Sequence, residues 1–219
     1  MARVPAGNAL IGSTSTQKLQ RKQKLPEYLH EKVDSESELH EIYLNEYWID
    51  RYLVTHQDYA EFLPGHQDRF PEEEANHPVV SVTWHEAQAY AQWLGKELPS
   101  QECWEKAARG PHGLIYPWGD SFDPRACNGA HNGLRRTSAV SAYPGGASPY
   151  GCLDMVGNVW EWTNSPWSEG GPFWVQKGGS TLCSEAQLCA SSRMDAFPDF
   201  VLQWVGFRLM TSRRPELSA

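Results

Sequence analysis

The sequence lacks the features that mark membrane, secreted and nucleic-acid-binding chains. It has no run of about 18 apolar residues, and Pro5 and Gly7 interrupt its opening stretch, which also argues against a secretory signal. Basic charge is scarce: 19 Lys and Arg stand against 27 Asp and Glu, a formal net charge of −8, and this disfavours a nucleic-acid or acidic-membrane partner. We expect no membrane insertion, no nucleic-acid partner and a cytoplasmic location, with surface display left open.

Cysteine is also scarce and irregularly placed. The five cysteines, at 103, 127, 152, 183 and 189, form no C-x-x-C pair and are odd in number, which fits neither a zinc ribbon nor a fully paired disulfide scaffold. No G-x-S-x-G motif supports serine hydrolysis.

Aromatic residues, in contrast, are abundant. The 10 Trp, 18 Gly and 15 Pro are typical of a loop-rich α+β domain.

The spacing of apolar residues and the frequent Gly, Pro and Asn residues predict few long helices. Thr83 and Glu86 form a capping box ahead of one helix, and Ser100 caps a second. The predicted elements are an opening strand (4–12), a polar surface loop (13–39), a strand-like stretch (40–52), a helix from Thr55, two main helices (84–94 and 101–109) and a turn-rich remainder with short strands. No linker divides the chain, so we expect a single domain over 1–210 and a flexible tail over 211–219.

Seven sequence strings occur in a fixed order along the chain. They are HPVVSVTW (77–84), WLGKELPS (93–100), WEKAARG (104–110), YPWGD (116–120), LDMVGNVWEWT (153–163), KGGS (177–180) and VGFRL (205–209). This order resembles the formylglycine-generating enzyme family, also called the sulfatase-modifying factor domain, over nearly the whole chain. The resemblance implies a C-type-lectin-like fold of the α+β class, with two main helices and short antiparallel strands.

One cation site follows from the resemblance, because similar family members bind calcium at the positions of Asp154, Gly157, Val159 and Glu161. Calcium takes about six to eight oxygen ligands from carboxylates and carbonyls. The two carboxylates are separated by the Gly157-Asn158 turn, and the carbonyls of Gly157 and Val159 would complete the cage. We therefore expect a structural Ca²⁺ site at these four residues.

Glu161 also has a simpler possible use, which is to pair with Arg193 or Arg208 inside the fold, as buried carboxylates require. Trp160 and Trp162 alternate with Val159 and Glu161. This alternation predicts a half-buried strand with one apolar face and one face that presents oxygen.

The family's enzymes oxidise a substrate cysteine with copper held by two thiolates, which suit Cu(I) because both are soft. The resemblance places these thiolates on Glu185 and Ala190, and neither residue supplies sulfur. Cys183 and Cys189 lie nearby but have five residues between them rather than the family's four. We therefore expect no copper and no enzyme activity. Related iron-dependent sulfoxide synthases need three histidines, and the sequence has no H-x3-H motif.

The stretch between KGGS and VGFRL departs most from similar sequences, in which it is mostly polar. Here residues 181–204 read TLCSEAQLCASSRMDAFPDFVLQW. The flanking motifs match the family while the residues between them differ. This pattern resembles the variable proteins of diversity-generating retroelements, in which mutagenic reverse transcription replaces a set of codons, mostly for asparagine. The candidate ligand-contacting residues are Thr181, Leu182, Cys183, Glu185, Leu188, Ser192, Met194, Phe197, Phe200, Val201, Leu202 and Trp204.

Three hypotheses follow. The first is a non-catalytic binding protein for a protein or other macromolecular ligand, since aromatic and aliphatic side chains exposed together supply contact area. The second is a copper-dependent thiol oxidase, and the third a structural lectin-like module. Against the first, Phe200, Leu202 and Trp204 alternate and could enter the core of a strand. In addition, an adenine-randomised AAC codon cannot yield Met194, Gln203 or Trp204.

Overall fold

The computed structural model describes residues 1–215. Its helices are α1 (Ser15–Lys22), α2 (His30–Asp34), α3 (His56–Phe62), α4 (Trp84–Trp93) and α5 (Gln101–Arg109). Its strands are β1 (Ala2–Val4), β2 (Gly7–Ile11), β3 (His40–Leu44), β4 (Tyr47–Ile49), β5 (Trp160–Pro166), β6 (Trp174–Lys177), β7 (Arg193–Ala196), β8 (Val205–Gly206) and β9 (Met210–Thr211).

The strands form three small sheets. One has the order β1-β4-β9, a second pairs β2 with β3, and the third has the order β7-β6-β5-β8. All these pairs are antiparallel except β5 with β8, which run parallel. The predicted opening strand divides into β1 and β2 around Pro5, which has no backbone N–H to donate.

The prediction for the VGNVWEW stretch was partly wrong. It does form a strand, but Trp160, Glu161, Trp162 and Thr163 are all buried. The reason is tertiary: β5 is an inner strand of its sheet, and α5 packs against both β5 and β6. Trp104 of α5 covers Glu161 on one face of β5, and Trp160 and Trp162 pack into the main core, so the side chains on both faces are buried.

The capping patterns in the sequence located three helices correctly. Thr55, Thr83 and Ser100 are the N-cap residues of α3, α4 and α5, and each side chain accepts a hydrogen bond from a backbone N–H three residues later. Gly95 follows α4 with a φ of 64°, a left-handed conformation that glycine adopts without a steric penalty.

The prediction of a surface loop over 13–39 was wrong, since this stretch contains α1 and α2. Thr14 and Gln17 form a capping box at the start of α1. Leu25 and Val33 pack with Ala186 in a small cluster of their own. A few apolar residues are enough to stabilise these helices because the helices pack against another part of the chain.

The structure places the first residue of the predicted tail in a strand. Thr211 pairs with Trp48, so it belongs to β9, while residues 216–219 lie outside the described part of the chain. Between residues 1 and 215, no helix is long and apolar enough to cross a membrane.

Candidate functional site

The segment from Thr181 to Trp204 divides into a buried half and an exposed half. Four of the predicted contact residues are buried, contrary to expectation: Thr181, Cys183, Leu188 and Ser192 are 5%, 4%, 0% and 3% exposed. Leu188 reaches the core because two glycines leave it room. A Cβ on Gly129 or Gly179 would lie 2.4 or 2.9 Å from a Leu188 methyl, so this part of the segment is packed framework.

The second half exposes large apolar side chains, as the contact hypothesis requires. Phe197, Phe200, Val201 and Trp204 are 38%, 48%, 60% and 40% exposed. Their ligand contacts remain a prediction. Met194 and Leu202 do not join them, because both are partly buried against the main core. The simple alternation that would have put Phe200 and Trp204 in the core is therefore absent.

Phe173, which precedes β6, extends this apolar area. Its ring centroid lies 4.3 Å from that of Phe197, which in turn lies 5.2 Å from that of Phe200. We call Phe173, Phe197, Phe200, Val201 and Trp204 the late aromatic surface. Rings this close reinforce one another's positions.

Backbone hydrogen bonds hold the late aromatic surface on the framework. The carbonyl of Pro198 accepts from Trp84 N at 2.9 Å, and that of Leu202 accepts from Ser81 N at 3.1 Å. The carbonyl of Trp204 accepts from Trp160 N at 2.9 Å. Each end of the stretch is thus fixed to α4 or β5, while its side chains face outward.

The Trp84 and Trp174 rings stack with centroids 3.9 Å apart, and Trp84 Nε1 donates to Thr163 O at 2.9 Å. This stacked pair joins α4 to β6. Sequence reasoning did not assign Trp84, Phe173 or Trp174 to a site. The general abundance of Trp was the only available signal.

Leu182 and Glu185 are exposed elsewhere on the segment. Glu185 lines a cavity of about 390 Å³ together with Arg21, Lys24, Tyr116 and Phe122. Lys24 Nζ lies 3.0 Å from Glu185 Oε1. This pair is exposed, so it contributes little stability and leaves both charges accessible.

Arg21 on α1 ties the predicted loop to this segment. Its guanidinium donates to Ala186 O and to Ser192 Oγ, each at 2.8 Å, and pairs with Glu36. Sequence reasoning missed Arg21 because it read 13–39 as a loop. The Thr14/Gln17 capping box is the sequence signal that would have identified α1.

The two nearby thiols are framework groups. Cys183 Sγ accepts from Ser180 N at 3.3 Å, and Cys189 Sγ contacts the hydroxyls of Ser191 and Ser192 at 3.3 and 3.2 Å. Burial raises the pKa of Cys183, which disfavours the thiolate that copper requires. At the family's thiolate positions, Glu185 is exposed and Ala190 is buried.

Among the predicted calcium ligands, Glu161 has a partner already. It is fully buried, and Arg208 donates to both of its oxygens at 2.7 and 2.8 Å. Trp104 Nε1 donates to Oε2 at 2.9 Å. The structure therefore shows the alternative use of Glu161, with Arg208 as its partner; Arg193 donates instead to Trp167 O.

Asp154 fits a cation better than Glu161 does. It is 5% exposed, and neither of its oxygens has a hydrogen-bond partner. Burial raises its pKa to about 7. Nevertheless, no three His, Cys, Asp or Glu side chains group as metal ligands within residues 1–215. Calcium binding through Asp154 stays a prediction, and Glu161 would have to serve both Arg208 and the ion.

A family model described as the sulfatase-modifying factor enzyme 1-like domain matches residues 1–213. The chain belongs to this family. Relatives include the "Inactive C-alpha-formylglycine-generating enzyme 2" of Bos taurus, 37% identical over 155 residues that cover 62% of this chain and 50% of that protein. The formylglycine-generating enzyme of Thermomonospora curvata is 38% identical over 172 residues, covering 61% and 55%. This sulfatase-modifying-factor chain spans about half the length of the curated relatives it matches.

Solved structures confirm the fold class. "Treponema denticola variable protein 1" superposes with a TM-score of 0.76 at 20% identity, covering 96% of this chain and 94% of that one. PvdO from Pseudomonas aeruginosa superposes with a TM-score of 0.75 at 23% identity, covering 95% and 92%. The α+β, C-type-lectin-like fold expected from the resemblance is thus confirmed for this family member. Its named relatives include active and inactive enzymes, so family membership alone does not decide activity.

Proposed function

We propose that this sulfatase-modifying-factor domain is a non-catalytic binding module that contacts a macromolecular ligand through the late aromatic surface. One observation carries the proposal: four large apolar side chains within residues 197–204 are 38–60% exposed. Exposing such groups together is unfavourable in water unless a partner covers them. A protein ligand suits this surface because aromatic anchors dominate protein interfaces.

The arrangement around the surface supports binding rather than chemistry. Hydrogen bonds to Trp84 and Trp160 fix the backbone on both sides of the exposed stretch. A contact surface on a rigid frame loses little conformational entropy on binding. No cysteine belongs to the late aromatic surface, and Cys183 and Cys189 are 4% and 1% exposed.

Residues 181–204 also separate into buried positions, which cannot vary freely, and exposed positions, which can, as targeted diversification requires. Replacement of buried Leu188 would open a cavity in the core, whereas replacement of exposed Phe200 or Val201 would change only the contact surface. We propose that a retroelement diversifies codons within 181–204, with the changes concentrated at the exposed residues. The "variable protein" of Treponema denticola shares this fold.

The test is to sequence the DNA around the gene. The expected result is a near-copy of codons 181–204 beside a reverse-transcriptase gene, differing at adenines. The differences should fall mainly on codons 182, 197, 200 and 201, because an adenine-randomised AAC codon can yield Leu, Phe or Val at these exposed positions but cannot yield Glu185 or Trp204. Absence of both elements would overturn diversification, and differences concentrated at buried codons 183 and 188 would overturn the assignment of the contact surface.

Copper titration tests the competing oxidase. We expect no stoichiometric thiolate–copper(I) absorption, because Cys183 and Cys189 each contact a serine hydroxyl and burial disfavours the Cys183 thiolate. The double variant Cys183→Ser/Cys189→Ser is the control. A one-to-one copper(I) signal that disappears in this variant would replace the binding proposal with the oxidase.

A further inference from the structure

A second cavity lies away from residues 181–204, between residues 50–54 and helices α3 and α4. We call it the α3–α4 pocket. Its volume is about 380 Å³, within the range of small-molecule sites. Leu53 and Val54, 2% and 5% exposed, form part of its lining. Tyr52 and Trp93 also line it and are 43% and 50% exposed.

The charged side chains that line the α3–α4 pocket are not equally available. Lys96 Nζ lies 2.9 and 3.2 Å from the two carboxylate oxygens of Asp50, so these charges offset each other. Arg51 Nε donates to the carbonyl of Gly151 at 3.1 Å. Lys96 is thus paired with a carboxylate, whereas the neutral carbonyl of Gly151 leaves the positive charge of Arg51 uncompensated.

Two carboxylates in the lining remain available. Asp58 Oδ2 accepts hydrogen bonds from Thr55 N and Thr55 Oγ1 at 3.0 and 2.7 Å. Its other oxygen, Oδ1, is available to accept from a ligand. Glu61 is exposed and forms no salt bridge with any residue of 1–215. Both residues lie on α3, three positions apart, and so share one face of the helix.

Tyr90 lines the α3–α4 pocket together with these two carboxylates. Burial raises the pKa of its hydroxyl, and the negative charges of Asp58, Asp50 and Glu61 raise it further. The Tyr90 and Trp93 rings have centroids 5.8 Å apart. The lining side chains include three carboxylates and two cations, so the α3–α4 pocket combines aromatic rings with a small excess of negative charge, which together attract a cation.

We propose that the α3–α4 pocket binds a primary ammonium group on an apolar stem, with its nitrogen beside Glu61 and Asp58 Oδ1 and its stem against Trp93 and Leu53. Carboxylate and hydroxyl oxygens accept the three ammonium hydrogens. The ring faces stabilise the charge, and the aliphatic floor contacts the stem. A free alkylamine and the lysine side chain of a protein share this chemistry. The proposal does not depend on the proposed function, since no residue of 181–204 lines this pocket.

NMR titration of the whole chain tests the proposal through the Trp93 indole N–H, assigned by its loss in Trp93→Phe. The free-amine probe is n-butylammonium, with 1-butanol as its neutral counterpart. The peptide probe is Nα-acetyl-lysine N-methylamide, with the Nε-acetylated compound as its neutral counterpart. Glu61→Gln removes the available charge, and Glu72→Gln, at an exposed acidic residue outside the lining, is the matched control.

The expected result is binding with a Kd on the order of 1 mM for a cationic probe and none for its neutral counterpart. Glu61→Gln should weaken this binding by about threefold to tenfold, while Glu72→Gln leaves it unchanged. Binding of the lysine derivative identifies a protein side chain as an accepted source, and binding of butylammonium alone identifies a free amine. Equal shifts with neutral compounds, no shift with either cation, or full affinity in a folded Glu61→Gln protein would overturn the proposal.

Discussion

Glu161 and Arg208 show how a single buried ion pair organises the centre of this molecule. Both side chains are fully buried, and Arg208 also donates to the carbonyl of Leu153 at 2.8 Å. These bonds tie β5 to the chain around residues 153 and 208. Two desolvated charges are tolerated here because each has several hydrogen-bond partners.

Replacing Glu161 with Ala should therefore lower the free energy of unfolding by about 3–5 kcal/mol, because Arg208 would stay buried without its counter-charge. Chemical denaturation measures this loss. An exposed acidic residue, changed in Glu72→Ala, is the control. A loss below about 1 kcal/mol would be the size typical of an exposed pair and would contradict this assignment.

The calcium prediction is tested through Asp154, whose oxygens have no protein partner. If the ion binds, calcium should raise the melting temperature of the unchanged protein relative to chelator, because a ligand of the native state alone stabilises it. Asp154→Ala should remove this difference, since it takes away the side-chain oxygens that would bind the ion. Identical melting of the unchanged protein with calcium and with chelator would eliminate the site.

His56 and His66 form a second buried polar contact, with His56 Nδ1 3.0 Å from His66 Nε2. Their rings stack, and Phe70 stacks on His56. Burial lowers the pKa of His56 to about 4, with further lowering by His66 and His77. His66 Nδ1 is buried without a partner, so the pair is stable only while it is uncharged.

Stability should consequently fall as the pH drops from about 6.5 toward 4. In that window the unfolded chain binds a proton at His56 that the folded protein does not. The depressed folded-state pKa corresponds to a loss of about 3 kcal/mol. Denaturation midpoints measured between these pH values should drop less in His56→Gln. An unaltered slope in His56→Gln would refute the assignment.

At the scale of elements, α1 and the segment 181–204 depend on one another. Arg21 reaches Ala186 and Ser192 from α1, and Lys32 on α2 pairs with Asp195 on β7. The buried half of the segment therefore packs between the main core and helices α1 and α2. Its exposed half has backbone contacts and few side-chain contacts.

Replacing Phe197, Phe200, Val201 and Trp204 together with Ser should keep the fold. These side chains are already partly in water, so the melting temperature should change by only a few degrees. Leu188→Ser is the matched control inside the same segment. It should cost about 2–5 kcal/mol, because it leaves a cavity and a buried hydroxyl.

Thermal melting and circular dichroism of both variants decide the question. Insoluble or unfolded protein from the quadruple variant, with Leu188→Ser folded normally, would reverse the assignment. The late aromatic surface would then belong to the core, and the binding proposal would lose its carrying observation.

At the scale of the whole molecule, strands far apart in the sequence, β1 and β9, lie in one sheet. β4 pairs with β1 on one side and β9 on the other, and Ile49 in β4 is fully buried. Met210 also exchanges backbone hydrogen bonds with Glu97 at 3.0 and 2.8 Å. The C-terminal strand thus completes the fold rather than trailing from it.

A chain that ends at Leu209 should melt lower than one that ends at Arg213. The shorter chain lacks the β4–β9 pairing and the Met210 side chain, which is 8% exposed. The loss should be about 1–3 kcal/mol, the scale of one buried apolar side chain. Differential scanning calorimetry of the two chains makes the comparison, and equal melting would show that β9 is dispensable.

The sequence by itself determined the parts of this protein that local chemistry controls. Capping residues at 55, 83 and 100 fixed the starts of three helices, because a side-chain oxygen must satisfy N–H groups that the helix leaves free. The ordered strings determined the family and hence the fold.

Only the tertiary structure decided which residues of 181–204 enter the core and which partner Glu161 takes. Leu188 is buried because Gly129, far away in the sequence, and Gly179, nine residues before it, leave space for its side chain. Glu161 meets Arg208 because β5 lies inside its sheet and parallel to β8. The carboxylates and rings of the α3–α4 pocket come from three separate stretches of chain. Burial and pairing depend on such distant neighbours, which no pattern along one stretch of sequence contains.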